Sequence, residues 1–195
     1  MNIFGNDREQ HILRLFRRQD GRAMDMLYAE YASTLTAIGA RYIADDDDLH
    51  DVLQEAFIKV FTGIGHFEYR GKGSLKAWLT RIIVNESLLF LRQKKKQQME
   101  IPDSKLAGNE GLQNIADLPD DSPDAEGLSP DELGVVLRQL PEGYRAVLNL
   151  YVIEGMSHKE IGRLLGIKPD TSASQLHRAK KMLARIIKDY KKSKP

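Results

Sequence analysis

Gly155-Met156-Ser157-His158-Lys159-Glu160-Ile161-Gly162-Arg163-Leu164-Leu165-Gly166-Ile167-Lys168-Pro169-Asp170-Thr171-Ser172-Ala173-Ser174 is the stretch whose reading decides the fold of this 195-residue chain. Ser157 and Glu160 stand three apart, the spacing of a capping box, in which each side chain satisfies an orphan N–H of the other's backbone. Ile161, Leu164 and Leu165 then share one helical face, and Gly166 is placed to end the helix in the left-handed conformation. Ile167 plugs the turn. Pro169 suits the first position of a second helix. That helix has an inner face of Ser172, Leu176, Ala179, Leu183 and Ile187. Its outer face holds Thr171, Ala173, Ser174, His177, Arg178 and Lys181. Two short helices across a tight turn make a helix-turn-helix, whose second helix enters the DNA major groove and offers donors to base edges and phosphates.

Working back toward the N-terminus, every segment with a period is helical. Ser129-Pro130-Asp131-Glu132 combines a cap, a first-turn proline and two acids that suit the positive end of a helix dipole. Pro141-Glu142 starts another helix, with Val147, Leu148, Leu150 and Tyr151 as its apolar face. Nearer the beginning, Ile12, Leu13 and Phe16 precede a turn at Asp20-Gly21. Met24, Leu27, Tyr28, Tyr31, Leu35, Ile38 and Tyr42 follow in steps of three and four. Asp45 to Asp48 predict a loop and the start of the next helix, where carboxylates face the dipole's positive end. Val52, Leu53, Ala56, Phe57, Val60 and Phe61 form its apolar series, which ends near Gly63 and Gly65. Residues 67–73 interleave aromatic and basic side chains in a loop. Ser74 is the expected N-cap of a fourth helix. That helix carries Leu75, Trp78, Leu79, Ile82, Ile83, Leu88, Leu89 and Leu91 and closes on Arg92 to Lys96. The expected architecture is all-α: a helical domain over 1–97, a flexible acidic linker over 98–128, and a helix-turn-helix domain over 129–195.

Charge supports this division. The net charge is only +1, but it is partitioned as +2 over 1–99, −9 over 100–132 and +8 over 133–195. A basic C-terminal block with the cations Lys188, Lys191, Lys192 and Lys194 fits a polyanion partner. As a flexible coil the 33 residues of 100–132 would span about 30 Å, and fully stretched they would reach about 110 Å. There are no cysteines, so disulfides and thiolate metal sites are excluded. No apolar run approaches the ~18 residues of a membrane span, and the first residues lack a signal-peptide layout. A cytoplasmic protein without cofactor or metal is expected.

Three motifs in this order resemble one family. Asp51-Val52-Leu53-Gln54-Glu55-Ala56-Phe57-Ile58-Lys59-Val60-Phe61 is similar to the polymerase-clamp-binding helix of extracytoplasmic-function sigma factors. Trp78-Leu79-Thr80-Arg81-Ile82-Ile83-Val84-Asn85 is similar to the following helix, which reads the promoter −10 element. Leu140-Pro141-Glu142 through Tyr151, then Gly155 to Ile161, resemble the family's −35 domain. The resemblance covers about residues 20–97 and 130–188. It implies a factor that directs core RNA polymerase to promoters rather than an enzyme, with bacterial core polymerase and promoter DNA as partners. In many members an anti-sigma factor is a further partner.

Carried over residue by residue, the resemblance implies that Asp51, Gln54, Glu55 and Lys59 contact the polymerase clamp. Phe67, Tyr69, Arg70, Gly71 and Lys72 would form the loop that holds a flipped −10 base, with Arg81 and Asn85 on the melted strand. Thr171, Ala173, Ser174, Gln175, His177 and Arg178 would lie over the −35 bases, with Lys159 and Lys180 near phosphates. The acidic linker would run through basic channels of the polymerase. Two features depart from the commonest members. The loop from Phe67 to Trp78 is longer, and Thr171-Ser172-Ala173-Ser174-Gln175 lacks the cations that many members carry around the Ser.

Other readings stay open at this point. A conventional helix-turn-helix regulator with an N-terminal sensing domain predicts tight duplex binding without polymerase, but it leaves the Asp51–Phe61 and Trp78–Asn85 motifs without a role. A Mg²⁺-dependent nucleic-acid enzyme built on Asp45–Asp48, His50 and Asp51 would need carboxylates converging from separate elements. Trp78 suits either base stacking or core packing.

Overall fold

Helix after helix follows the apolar period in the computed structural model, which describes residues 4–100 and 123–194. Of the acidic connector expected over 98–128, residues 101–122 lie outside the described residues. The chain forms two compact units, Met1–Leu89 and Phe90–Pro195.

In the first unit, helices α1 (Phe4–Arg17), α2 (Arg22–Gly39) and α3 (Asp46–Gly63) are followed by a 3-10 turn, Ile64–His66, and by α4, which begins at Ser74 and continues to Glu100. The turn into α2 is closed by Asp20, whose carboxylate accepts from the Arg22 backbone N–H at 3.0 Å and from its guanidinium at 2.7 Å. Those bonds hold the Asp20 carboxyl down at about 2. Asp45 caps α3 by accepting from the N–H groups of Asp47 and Asp48 at 3.1 and 3.0 Å, and Asp46, Asp47 and Asp48 occupy its first turn. The acidic run is thus a helix start. Leu27, Leu35, Val52, Val60, Leu75, Leu79 and Ile83 fill the core. Each is worth about 1.5–3 kcal/mol of burial. Two expectations change. Tyr28 and Phe61, read as part of apolar faces, are exposed. Helix α4 continues past the Lys run to Glu100, because Gln97, Gln98 and Met99 are good helix formers.

The second unit contains α5 (Pro130–Arg138), α6 (Glu142–Val152), α7 (His158–Leu165) and α8 (Pro169–Ser193). Both Ser-x-x-Glu pairs form complete capping boxes, Ser129 with Glu132 and Ser157 with Glu160. Helix α6 is central: Tyr144 to Leu150 are all buried, and α8 packs against α5, α6 and α7. Two of those buried residues are polar, Arg145 and Asn149. The Arg145 guanidinium donates to the carbonyls of Arg138 at 3.1 Å and Leu140 at 3.3 Å, satisfying the end of α5, and burial pushes its pKa down. No helix among the described residues is long and apolar enough to cross a membrane.

Candidate nucleic-acid interface

The helix-turn-helix is built as its spacing predicts. The Ser157 hydroxyl donates to the Glu160 carboxylate at 2.7 Å, and the Ser157 N–H donates to it at 2.8 Å, which lowers the Glu160 pKa. Gly166 ends α7 at φ 65°. The turn closes so tightly that a Cβ on Gly162 would lie 2.7 Å from the Ile167 carbonyl oxygen. Ser172, Leu176, Ala179, Leu183 and Ile187 are buried, so the inner face of α8 is the one expected. Thr171, Ala173, Ser174, His177, Arg178 and Lys180 are exposed along its outer side, as is Lys159 on α7, while Gln175 is half-buried. The Ser174 hydroxyl donates to the Thr171 carbonyl at 3.0 Å, leaving its oxygen able to accept.

A side-chain contact locks the two helices together. His158 Nδ1 and the buried Ser172 hydroxyl share a hydrogen bond of 3.0 Å, and the His158 ring stacks on Tyr151 at 4.8 Å. Sequence reading placed Ser172 on the inner face but had no signal for its partner. The far end of α8 also has partners. Lys191 donates to Asp124 at 2.9 Å, and Lys194 pairs with Glu132. The Glu132 carboxyl is thereby held down at about 2, by Lys194 first and then by the Ser129 backbone. Two cations of the basic tail are therefore matched with the acidic segment.

In the first unit a concavity of about 670 Å³ lies between the 67–73 loop and α4, lined by Phe67, Glu68, Arg70, Trp78, Arg81 and others, with Arg70 pairing with Glu68 at 3.4 Å on the exposed rim. It brings together three of the residues expected to handle the −10 element. It adds Trp78, whose ring is half-buried and packs on Phe67 at 5.2 Å. Trp78 thus serves as core on one side and as a wall on the other, which its place in an apolar series could not reveal. Tyr69, Gly71, Lys72 and Asn85 do not line the concavity; Asn85 is exposed one turn beyond Arg81 on α4.

The loop holding Phe67 is anchored in an unexpected way. Ser74 does not cap α4 with its side chain; its hydroxyl accepts from the Arg70 N–H at 3.2 Å. Gly73 is the residue whose carbonyl accepts the first helical bond, from Ala77 at 2.9 Å. Gly73 has no side chain to act as a cap, and its N–H donates instead to the Glu9 carboxylate of α1 at 3.0 Å.

On α3, Asp51, Gln54 and Glu55 are exposed. Gln54 borders an apolar groove of about 600 Å³ between α2 and α3, lined by Met24, Tyr28, Leu53, Phe57, Ile58 and others. Exposure of Tyr28, Ile58 and Phe61 in one unit is the kind of apolar surface that marks a docking site. Lys59 points elsewhere: its ammonium donates to both oxygens of Glu86 on α4 at 2.7 Å.

Two family models match this chain, and several known proteins are similar to it. The family model of Sigma-70 region 2 matches residues 27–97, and that of Sigma-70, region 4 matches residues 131–183. RNA polymerase sigma-H factor of Pseudomonas aeruginosa is 27% identical over 186 residues, covering 93% of this chain and 94% of its own length. ECF RNA polymerase sigma factor SigW of Bacillus subtilis is 32% identical over 165 residues, covering 82% of this chain and 86% of its own. A solved structure of the sigma factor RpoE in complex with the anti-sigma factor NepR from Bartonella quintana is similar at 23% identity and a TM-score of 0.46, over 86% of this chain and 98% of that one.

Proposed function

The chain belongs to the extracytoplasmic-function sigma factors of RNA polymerase, which act in promoter recognition, and from that premise we propose how its residues divide the work. It acts in the cytoplasm as an initiation factor that performs no catalysis of its own. The domain over 1–97 binds core polymerase and the −10 element. The acidic segment over 98–128 links it to the −35 domain over 129–195.

The observation that carries the −10 assignment is the concavity that gathers Phe67, Arg70, Trp78 and Arg81. An unstacked base needs an aromatic surface and a cation for the flanking phosphate, and this site offers both. Asn85 follows the strand one turn farther along α4. Melting costs about 1.4 kcal/mol per stacking step, so a first segment of charge +2 requires the polymerase as scaffold. The polymerase clamp docks on Asp51, Gln54 and Glu55 beside the apolar groove of α2 and α3, with Lys59 bordering that surface. An anti-sigma factor that covers the groove would block the same docking. On α8, Thr171, Ala173, Ser174, Gln175, His177 and Arg178 face the −35 bases, while Lys159 and Lys180 meet phosphates. Two modest contacts on one chain add up through effective concentration.

Run-off transcription with core polymerase on genomic promoter fragments tests this reading. Initiation should depend on the protein and fall with Asp51→Ala/Glu55→Ala at the binding step. It should fall with Arg70→Ala/Arg81→Ala at the opening step. Specific duplex binding by the protein alone, with no polymerase-dependent transcription, would instead identify a conventional regulator.

A further inference from the structure

Helix α1 lies ahead of the residues matched by Sigma-70 region 2, which begin at 27. Yet one of its side chains reaches the loop that forms the −10 concavity. Glu9 is only 4% exposed, and its two oxygens accept from different elements. One takes the Tyr31 hydroxyl of α2 at 3.3 Å; the other takes the Gly73 N–H at the head of α4 at 3.0 Å. Burial, and then this carboxylate, push the Tyr31 phenol pKa upward.

The consequence follows from how the loop is held. It leaves the concavity at Arg70, whose N–H is tied to the Ser74 hydroxyl, and reaches Gly73, whose N–H is tied to Glu9. A carboxylate at this point also faces the positive end of the α4 dipole. The contact joins residues 64 apart in sequence. Without it the loop loses its tie to α1 at Gly73, and the register of Phe67 and Arg70 against Trp78 and Arg81 across the concavity loosens.

We propose that Glu9 is a positioning residue for −10 recognition, through which α1 sets the geometry of the Phe67–Gly73 loop. This rests on the assignment of the concavity to the −10 element. The test uses the full-length chain, core polymerase, and a fork-junction promoter fragment taken from a start site mapped by the run-off assay.

Glu9→Ala should weaken binding of the assembled complex to the fork junction by about tenfold, the value of a lost hydrogen bond to a charged group. Its affinity for core polymerase should stay within about twofold of wild type. Glu9→Gln keeps an acceptor for the Gly73 N–H and should lie within about threefold. If Glu9→Ala does not fold, Glu9→Asp keeps the charge, withdraws it from Gly73, and should still weaken fork binding several-fold while core binding holds. Fork binding equal to wild type in the Ala or Asp variant overturns the proposal, as does an equal loss of core and fork binding. Arg70→Ala/Arg81→Ala separates the two ideas. If that pair leaves fork binding unchanged, the −10 assignment itself fails. If the pair weakens binding and the Glu9 variants do not, only the role of Glu9 fails.

Discussion

Replacing Lys59 by methionine should destabilise the first unit more than replacing its partner Glu86 does. The ammonium donates to both Glu86 oxygens at 2.7 Å, but the two ends differ in setting: the Lys59 side chain is 48% exposed and that of Glu86 10%. Lys59→Met strands a nearly buried carboxylate. A hydrogen bond to a charged group is worth about 1.5–3 kcal/mol, and breaking a fully buried pair costs about 3–5 kcal/mol. Water reaching the lysine end places the expected cost near 2 kcal/mol. Glu86→Met frees a half-exposed ammonium to turn into solvent, at a cost of about 0.5–1 kcal/mol. The double Met variant removes both charges and should cost no more than about 1 kcal/mol, a coupling of roughly 1.5–3 kcal/mol. Urea unfolding, with calorimetry of the full chain, reads all four proteins. Lys59→Met should lower the midpoint of the first unit's transition by about 8–16 °C. Equal costs for the two single variants, or costs that simply add, would refute the reasoning. The charge-reversed pair Lys59→Glu/Glu86→Lys extends the test to core polymerase. If Lys59 acts through Glu86, the pair restores binding that Lys59→Glu loses; if Lys59 touches the polymerase directly, it does not.

Three further outcomes are expected. Gly162→Ala pushes a methyl against the Ile167 carbonyl at 2.7 Å; it should cost about 1–3 kcal/mol by thermal unfolding and reduce −35 duplex binding in parallel. Arg178→Ala, on the exposed side of α8, should leave the midpoint within about 1 °C while weakening −35 duplex binding of the polymerase complex by about 1–3 kcal/mol, as measured by titration at fixed salt. Glu132 has its carboxyl lowered from 4.5 to about 2, so the unfolded chain binds the proton first as pH falls. Its stabilisation is complete above about pH 4.5 and is lost between there and pH 2. Acid unfolding of Glu132→Gln should therefore be less steep in that window.

Local pattern carried most of the architecture. Leu27, Tyr31, Leu35 and Ile38 are buried at their helical spacing, and Ser157 with Glu160 closes the box its spacing announced. The five inner residues of α8 were readable because a helix packed along one face leaves a stripe every three or four positions. What escaped were single pairings between distant elements, which leave no period. Glu9 with Gly73, Lys59 with Glu86 and His158 with Ser172 are of this kind. The reading of Ser74 as a cap failed because the cap position lies one residue earlier, at Gly73, whose N–H is taken by Glu9 from 64 residues away, while the Ser74 hydroxyl accepts from Arg70. In α6 the start at Pro141-Glu142 and the burial of Val147, Leu148 and Leu150 follow the pattern, but Tyr151, placed on the same face, is exposed, and the burial of Arg145 and Asn149 left no periodic signal. Phe67, Arg70 and Arg81, named from the family resemblance, line one concavity, and Trp78 joins them because one ring can have a packed side and an open side.

The buried and exposed residues of α8 do not overlap. Positions 172, 176, 179, 183 and 187 are buried against the helix's neighbours, while 171, 173, 174, 177, 178 and 180 are exposed. A lineage, or an engineer, can therefore rewrite the second set without disturbing the first. On the proposed −35 assignment, drift in the promoter alphabet is uncoupled from the ability to fold, and new orthogonal specificities become reachable one letter at a time. Ser172 and Ala179 are each fixed letters between two rewritable ones, Ala179 by burial alone and Ser172 also by its bond to His158.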